Sequence, residues 1–172
     1  MKLSNYDPEE LTEEEICDKV AQSIYYKQGY GPLCEEFMGA IGYTHLASSN
    51  RIVFSNGEFV IKFAATEDAI VYNREEANAT TRLQDTDINV IAPIVKTQNS
   101  GYRWVKMKKA DTQTTTTHYH SVQSKLASLG EQADVTDDNI GTIDQQAVLV
   151  DYPSLSETNL AEALEAHCPE LH

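Results

Sequence analysis

Arg51-Ile-Val-Phe-Ser-Asn-Gly-Glu-Phe-Val-Ile-Lys-Phe63 is the stretch on which the reading of this chain turns. Two apolar runs flank Ser55-Asn-Gly-Glu58, and Asn-Gly is a strong hairpin signal because a tight two-residue turn needs positive φ at its centre. The stretch therefore predicts strand, turn and returning strand. Side chains alternate along a strand, so Phe59, Ile61 and Phe63 take one face and Val60 and Lys62 the other. An ammonium group inside such a strand needs solvent or an anionic partner. The plainer alternative is a lysine at a sheet edge, open to water.

Downstream, residues 67–84 predict a helix with Ala69, Tyr72, Glu76, Ala79 and Leu83 near one side. Glu76 is then a candidate partner for Lys62, and such a pair holds a lysine extended toward phosphate oxygens. Val90–Val95 and Tyr102–Met107 predict two more strands, joined by a polar turn at 98–101. Residues 111–117, Asp-Thr-Gln-Thr-Thr-Thr-Thr, have little core-forming power and mark a hinge. A helix is expected over 118–131, then a loop over 133–141, then a short buried strand, Ala147–Val150, running into Asp151. Ser156 is placed to cap a last helix carrying Leu160, Ala163 and Leu164.

Upstream, residues 7–28 predict one helix, with Asp7 as cap, Pro8 in the first turn and Leu11, Ile16, Val20, Ile24 and Tyr25 as its apolar stripe. Gly29-Tyr-Gly-Pro32 breaks it, and a second short helix is expected over 33–40. The acidic run at its start reads as a solvated helix face. The domain division expected is a helical extension at 1–40, a strand-rich unit at 41–110 and a smaller unit at 111–172.

The chain has 172 residues, 41% of them apolar, which suffices for one domain or two small packed lobes. Its formal charge of -14 argues against general nucleic-acid binding, which needs a basic stripe. One small polyphosphate needs only a local lysine and a metal, so it stays open. An acidic surface also suits contact with a basic partner. Three scattered cysteines, no apolar signal core and no run of about 20 apolar residues lead to the expectation of a soluble, cytoplasmic protein without membrane contact.

Asp134 and Asn139 lie five apart in the loop, and Asp151 ends the next strand. A carboxylate and an amide oxygen are hard ligands suited to Mg²⁺, and a second carboxylate can orient a hydroxyl nucleophile. Taken singly, such residues are more often turns and caps. A calcium loop is disfavoured, because the central glycine and terminal glutamate are missing.

Lysine on a hairpin strand, helix glutamate, two strands, hinge, helix, Asp-x-x-x-x-Asn, strand and Asp follow in the order found in protein kinases. Over about residues 41–155 the chain resembles the protein kinase-like superfamily, above all the small divergent kinase-like proteins of bacteriophages and other prokaryotic viruses. The resemblance implies an α+β, two-lobed fold: an antiparallel sheet with one helix, a strongly truncated helical C-lobe and extra N-terminal helices. It implies ATP and Mg²⁺ as cofactors. Lys62 would meet the α- and β-phosphates, Ser48 and Ser49 would lie in the phosphate-covering hairpin, and Met107 and Lys108 would begin the adenine-facing segment. Glu76, preferred to Glu75 because it directly precedes Ala77, would pair with Lys62. Asp134 would act on the substrate hydroxyl, and Asn139 and Asp151 would hold Mg²⁺.

The chain departs from the kinase pattern at several points. The covering hairpin lacks glycines, Gln132-Ala-Asp134 stands where His-Arg-Asp is usual, Tyr152-Pro153 replaces Phe-Gly, and few residues follow Asp151. Two functional expectations follow: a minimal atypical kinase transferring phosphate to a hydroxyl, or an inactive pseudokinase that engages a host factor through its acidic surface, in the host cytoplasm if the protein is viral. A mixed α+β domain without nucleotide chemistry is the third.

Overall fold

The computed structural model describes residues 2–26, 30–133, 135–152 and 155–157. The protein is α+β. Its centre is a five-stranded antiparallel sheet built from β1 (Thr44–Ser48), β2 (Arg51–Ser55), β3 (Phe59–Ala64), β4 (Ile94–Thr97) and β5 (Trp104–Lys108), in the order β1-β2-β3-β5-β4. The Asn56-Gly57 turn sets the β2–β3 register. Gly57 takes φ +94°, and the Asn56 side chain accepts from the N–H groups of Glu58 and Phe59 at 3.0 and 2.8 Å. The resulting register places Val53 opposite Lys62 and Arg51 opposite Ala64.

Alternation divides this sheet into two faces. Ile52, Phe54, Ile61, Phe63 and Trp104 point into one core, shared with α1 (Glu13–Tyr25) and α2 (Pro32–Ala40). Met107 points into the other, with Ala79, Leu83, Val122, Leu126, Val148, Leu149 and Tyr152. The elements on that side are α3 (Glu67–Leu83), α4 (Thr116–Leu129), and the hairpin of β7 (Ile140–Ile143) and β8 (Gln146–Leu149). A short pair, β6 (Glu131–Gln132) with β9 (Ser156–Glu157), follows α4.

The sequence-based boundaries shift for local reasons. The first helix does not run from residue 7. Asp7 caps only a 3-10 turn at Pro8–Glu10, and Thr12 with Glu15 forms a capping box that starts α1 at Glu13. The acidic start of α1 is not simply solvated. Glu13 pairs with Lys106 and Glu14 with Lys96, each at 2.6 Å, and Asp18 accepts from the Trp104 indole at 2.7 Å. These bonds tie α1 to β4 and β5. The strand expected at Val90–Val95 begins only at Ile94, because Ile91 and Ala92 pair instead with Leu149 of β8. Ser156 and Glu157 form β9 where the last helix is expected to begin, and the remainder of that expected helix lies outside the described residues.

The Thr-rich segment leads from the sheet into α4 and is anchored at its start. Asp111 and Thr142 exchange both backbone hydrogen bonds, at 2.9 and 2.8 Å. Gly141 makes this approach possible: a Cβ there would lie 2.6 Å from the Ala110 Cβ and 2.9 Å from the Asp111 carbonyl oxygen. Thr115 then caps α4, which ends at Gly130 in the left-handed region. Among the described residues no helix is long and apolar enough to cross a membrane.

Candidate functional site

The inner face of β3 carries a buried charge cluster. Glu76 is fully buried on α3. Its two carboxylate oxygens each lie 3.3 Å from Lys62 Nζ. Arg51 reaches the same carboxylate in bidentate fashion, Nη1 to Oε2 at 2.9 Å and Nη2 to Oε1 at 3.2 Å. The backbone N–H of Tyr152 donates to Oε1 at 3.1 Å. A carboxylate with no water access thus has its charge balanced by two cations and an amide, as burial demands.

Asp151 closes the cluster from the end of β8. Arg51 Nη2 donates to its Oδ1, and Lys62 Nζ lies 3.9 Å from the same oxygen. Lys62 also donates to the Val150 carbonyl at 2.8 Å, which fixes the backbone just before Asp151. The Asp151 side chain is half exposed, whereas those of Arg51, Lys62 and Glu76 are buried. Asn73 braces Arg51: its amide oxygen accepts from Nη1 at 3.3 Å, while its Nδ2 donates to the Tyr102 carbonyl at 2.9 Å. The Tyr152 ring is fully buried, and its hydroxyl donates to the Ala92 carbonyl at 2.7 Å.

Proton affinities follow from this arrangement. Burial pushes the Lys62 ammonium below the ordinary lysine range and Arg51 adds to that, while Glu76 and Asp151 only partly restore it. Burial alone would raise Asp151, but the charges of Lys62 and Arg51 outweigh it and hold the carboxyl below its usual range. For Arg51, burial is outweighed by the two carboxylates, so its charge is secured.

The residues read from sequence do not all come together. Lys62, Glu76 and Asp151 converge, whereas Glu75 is turned outward beside Arg74 at 3.5 Å. Ser48 and Ser49 are exposed at the β1–β2 turn that leads into Arg51, with Ser48 Oγ 2.7 Å from His45 Nε2. Asn139 joins the site through its backbone, its carbonyl accepting from Val150 N–H at 2.8 Å. The Asn139 side-chain oxygen, however, accepts from Thr136 N–H at 2.9 Å and caps a 3-10 turn.

Met107 and Lys108 stand apart from the charges. Met107 is core, and Lys108 Nζ lies 3.4 Å from Asp144. The N–H groups of Lys108, Lys109 and Asp111 already bond the carbonyls of Pro93, Glu58 and Thr142. A cavity of about 330 Å³ takes in Lys108 but lies between the end of α3, residues 84–93 and the β7–β8 hairpin, away from Lys62 and Asp151. Asp134 lies outside the described residues.

Arg51 is the member that sequence reading missed, although a signal was there. The Asn-Gly turn fixes the register, and alternation then puts Arg51 on the Lys62 face two pairs along. Among the described residues no three His, Cys, Asp or Glu side chains gather as a ready metal site. Compared with known proteins, the chain matches no family model and no curated sequence.

Proposed function

We propose that the protein is a minimal kinase-like nucleotide-binding protein, with Lys62 and Asp151 at the centre of its site. The observation that carries this reading is the meeting of Lys62 with Glu76 at 3.3 Å and with Asp151 at 3.9 Å, from elements separated by long stretches of chain. This is the arrangement in which a kinase-like lysine is held for phosphate and an aspartate for the metal. The order hairpin, helix, two strands, helix and strand pair agrees with it.

Asp151 offers a half-exposed hard oxygen, and the Asn139 carbonyl accepts from the neighbouring Val150 N–H, so the residues that would hold Mg²⁺ are Asp151 and, once its side chain leaves the cap, Asn139. Bound Mg²⁺ would offset phosphate charge. Lys62 would hold phosphate oxygens, Glu76 would keep Lys62 extended, and Asp134 would orient the acceptor hydroxyl. The test is incubation with γ-labelled ATP and Mg²⁺. Label transfer by the native chain and its loss in Lys62→Ala and Asp151→Asn are expected; equal label in all three ends the phosphotransferase reading.

A second reading, an inactive kinase-like interaction protein, is favoured by one observation: Arg51 occupies Asp151 Oδ1. Its acidic surface would then engage a basic partner. Thermal denaturation separates the two. A nucleotide binder gains about 2.7 kcal/mol at a hundredfold excess over Kd, whereas a pure interaction protein shows no shift with ATP and Mg²⁺ at millimolar level.

A further inference from the structure

Lys125 is a cation that the charge cluster does not use. It stands on α4, and its Nζ donates to two backbone carbonyls, those of Asn89 at 2.8 Å and Ala147 at 2.7 Å. Among the described residues no carboxylate pairs with it. Burial holds its ammonium below the ordinary lysine range, and no neighbouring charge offsets that. An ammonium has three donors, so two carbonyls leave one for a further acceptor.

The two carbonyls lie on the rim of the cavity of about 330 Å³. Asn89 lines it, and Ala147 stands between Gln146 and Val148, which line it as well. Leu83, Val90, Ile91 and Val148 give it apolar walls, and each is buried. A second hollow adjoins it, lined by Lys125 with Ser121, Ser124 and Ser128 of the same helix. Ile88, Asn89 and Gln146 border both. Arg51, Lys62, Glu76 and Asp151 border neither, so this cleft is independent of the nucleotide reading.

We propose that this cleft binds a small organic anion, its apolar body in the cavity and its carboxylate, sulfonate or phosphate head on Lys125 Nζ. The cavity is at the lower end of the size of small-molecule sites, which fits a body of about one or two rings. A head that accepts from Lys125 forms a charge-assisted bond at a partly buried position, where such bonds are strong. The hydroxyls of Ser121 and Ser124 are further donors beside it. Asp87 also borders this hollow and the chain carries a charge of -14, so affinity comes from the direct bond and not from a positive surface.

The test is fluorescence titration with two probes. Anilinonaphthalene sulfonate has an aromatic body and one anionic head; N-phenylnaphthylamine has the same rings without the charge. Lys125→Met keeps an apolar stem and removes the ammonium. Its Kd for the sulfonate is expected to rise at least about tenfold, the scale of one charge-assisted hydrogen bond, with the Kd of the neutral probe unchanged. Ile88→Trp, at a wall shared by both hollows, is expected to weaken both probes. Should Lys125→Met not fold, Ser121→Asp sets a carboxylate one helical turn before Lys125 at a half-buried position, and it is expected to weaken the sulfonate alone. Sulfonate binding that neither the Lys125 nor the Ser121 variant alters overturns the proposal. Equal weakening of both probes by Lys125→Met makes Lys125 a clamp between residues 89 and 147 and overturns it too, as does a native chain that binds neither probe.

Discussion

The two faces of strand β3 solve opposite problems with neighbouring residues. On the outer face Phe59, Ile61 and Phe63 meet α1 and α2 through apolar contact. On the inner face Lys62 is buried almost as deeply, but among charges. Apolar burial stabilises in proportion to area and asks for no partner. Buried charge returns its desolvation cost only when every partner is in place, and a well-packed apolar substitute is often as stable. The outer face is therefore accounted for by stability, while the inner face carries a cost that stability alone does not explain. That contrast is the physical reason for placing function on the Lys62 side.

The sharpest way to break the comparison is Glu76→Ala. It leaves Arg51 and Lys62 buried without their shared anion, and a loss of about 3–5 kcal/mol in urea unfolding is expected. A loss under about 1 kcal/mol would mean that the cluster opens to water, and the contrast between the faces would fail. Gly141→Ala tests what holds the second half against the sheet. Its new Cβ meets backbone at 2.9 Å, which cannot yield as a side chain does, so about 1–3 kcal/mol is expected. Hydrogen exchange at the Asp111 and Thr142 amides should rise with it; unchanged exchange would show that the strand pair is not what joins them.

Ile61→Val is the matched control on the outer face. Removing one methylene from a fully buried site should cost about 0.5–1.5 kcal/mol. That cost should be the same at pH 7 and pH 4 and indifferent to salt, since the deleted methylene carries no charge and makes no hydrogen bond. A strong pH dependence would blur the two faces into one electrostatic unit.

The division between the faces was largely readable from sequence because it rests on local rules. The Asn-Gly turn and period-two alternation put Phe59, Ile61 and Phe63 opposite Lys62. Glu76 follows from its position one helix later. What escaped depends in part on non-local partners and in part on competing local caps. Alternation places Arg51 on the Lys62 face, but its second carboxylate, Asp151, lies 100 positions away in the chain. The expected loop over 133–141 overlaps the start of β7, which becomes a strand by pairing with β8. The start of α1 moved to Glu13 because Thr12 and Glu15 outcompete Asp7 as a cap. The metal role of Asn139 is what the kinase-like resemblance implies, and a local cap claims its side-chain oxygen here.

The smallest effect is the most specific to the inner face. Asp151 has its folded-state pKa held below the usual carboxylate range, against the effect of burial, by Lys62 and Arg51. A depressed carboxyl contributes stability that is fully present above the unfolded-state pKa of about 3.9 and is lost as pH falls through the folded value. Asp151→Asn removes that contribution at every pH. The stability difference between the native chain and Asp151→Asn should therefore be flat from pH 7 to about pH 5, then shrink below about pH 4. Its size at neutral pH should stay under about 1 kcal/mol, because half of the side chain faces solvent and the pair is screened. Added salt should reduce it further, which Ile61→Val should not show. A difference that grows on acidification would mean that Asp151 is protonated more readily in the folded state than in the unfolded one, and the cluster could not then be the carboxylate-and-cation balance on which a metal-holding role for Asp151 depends.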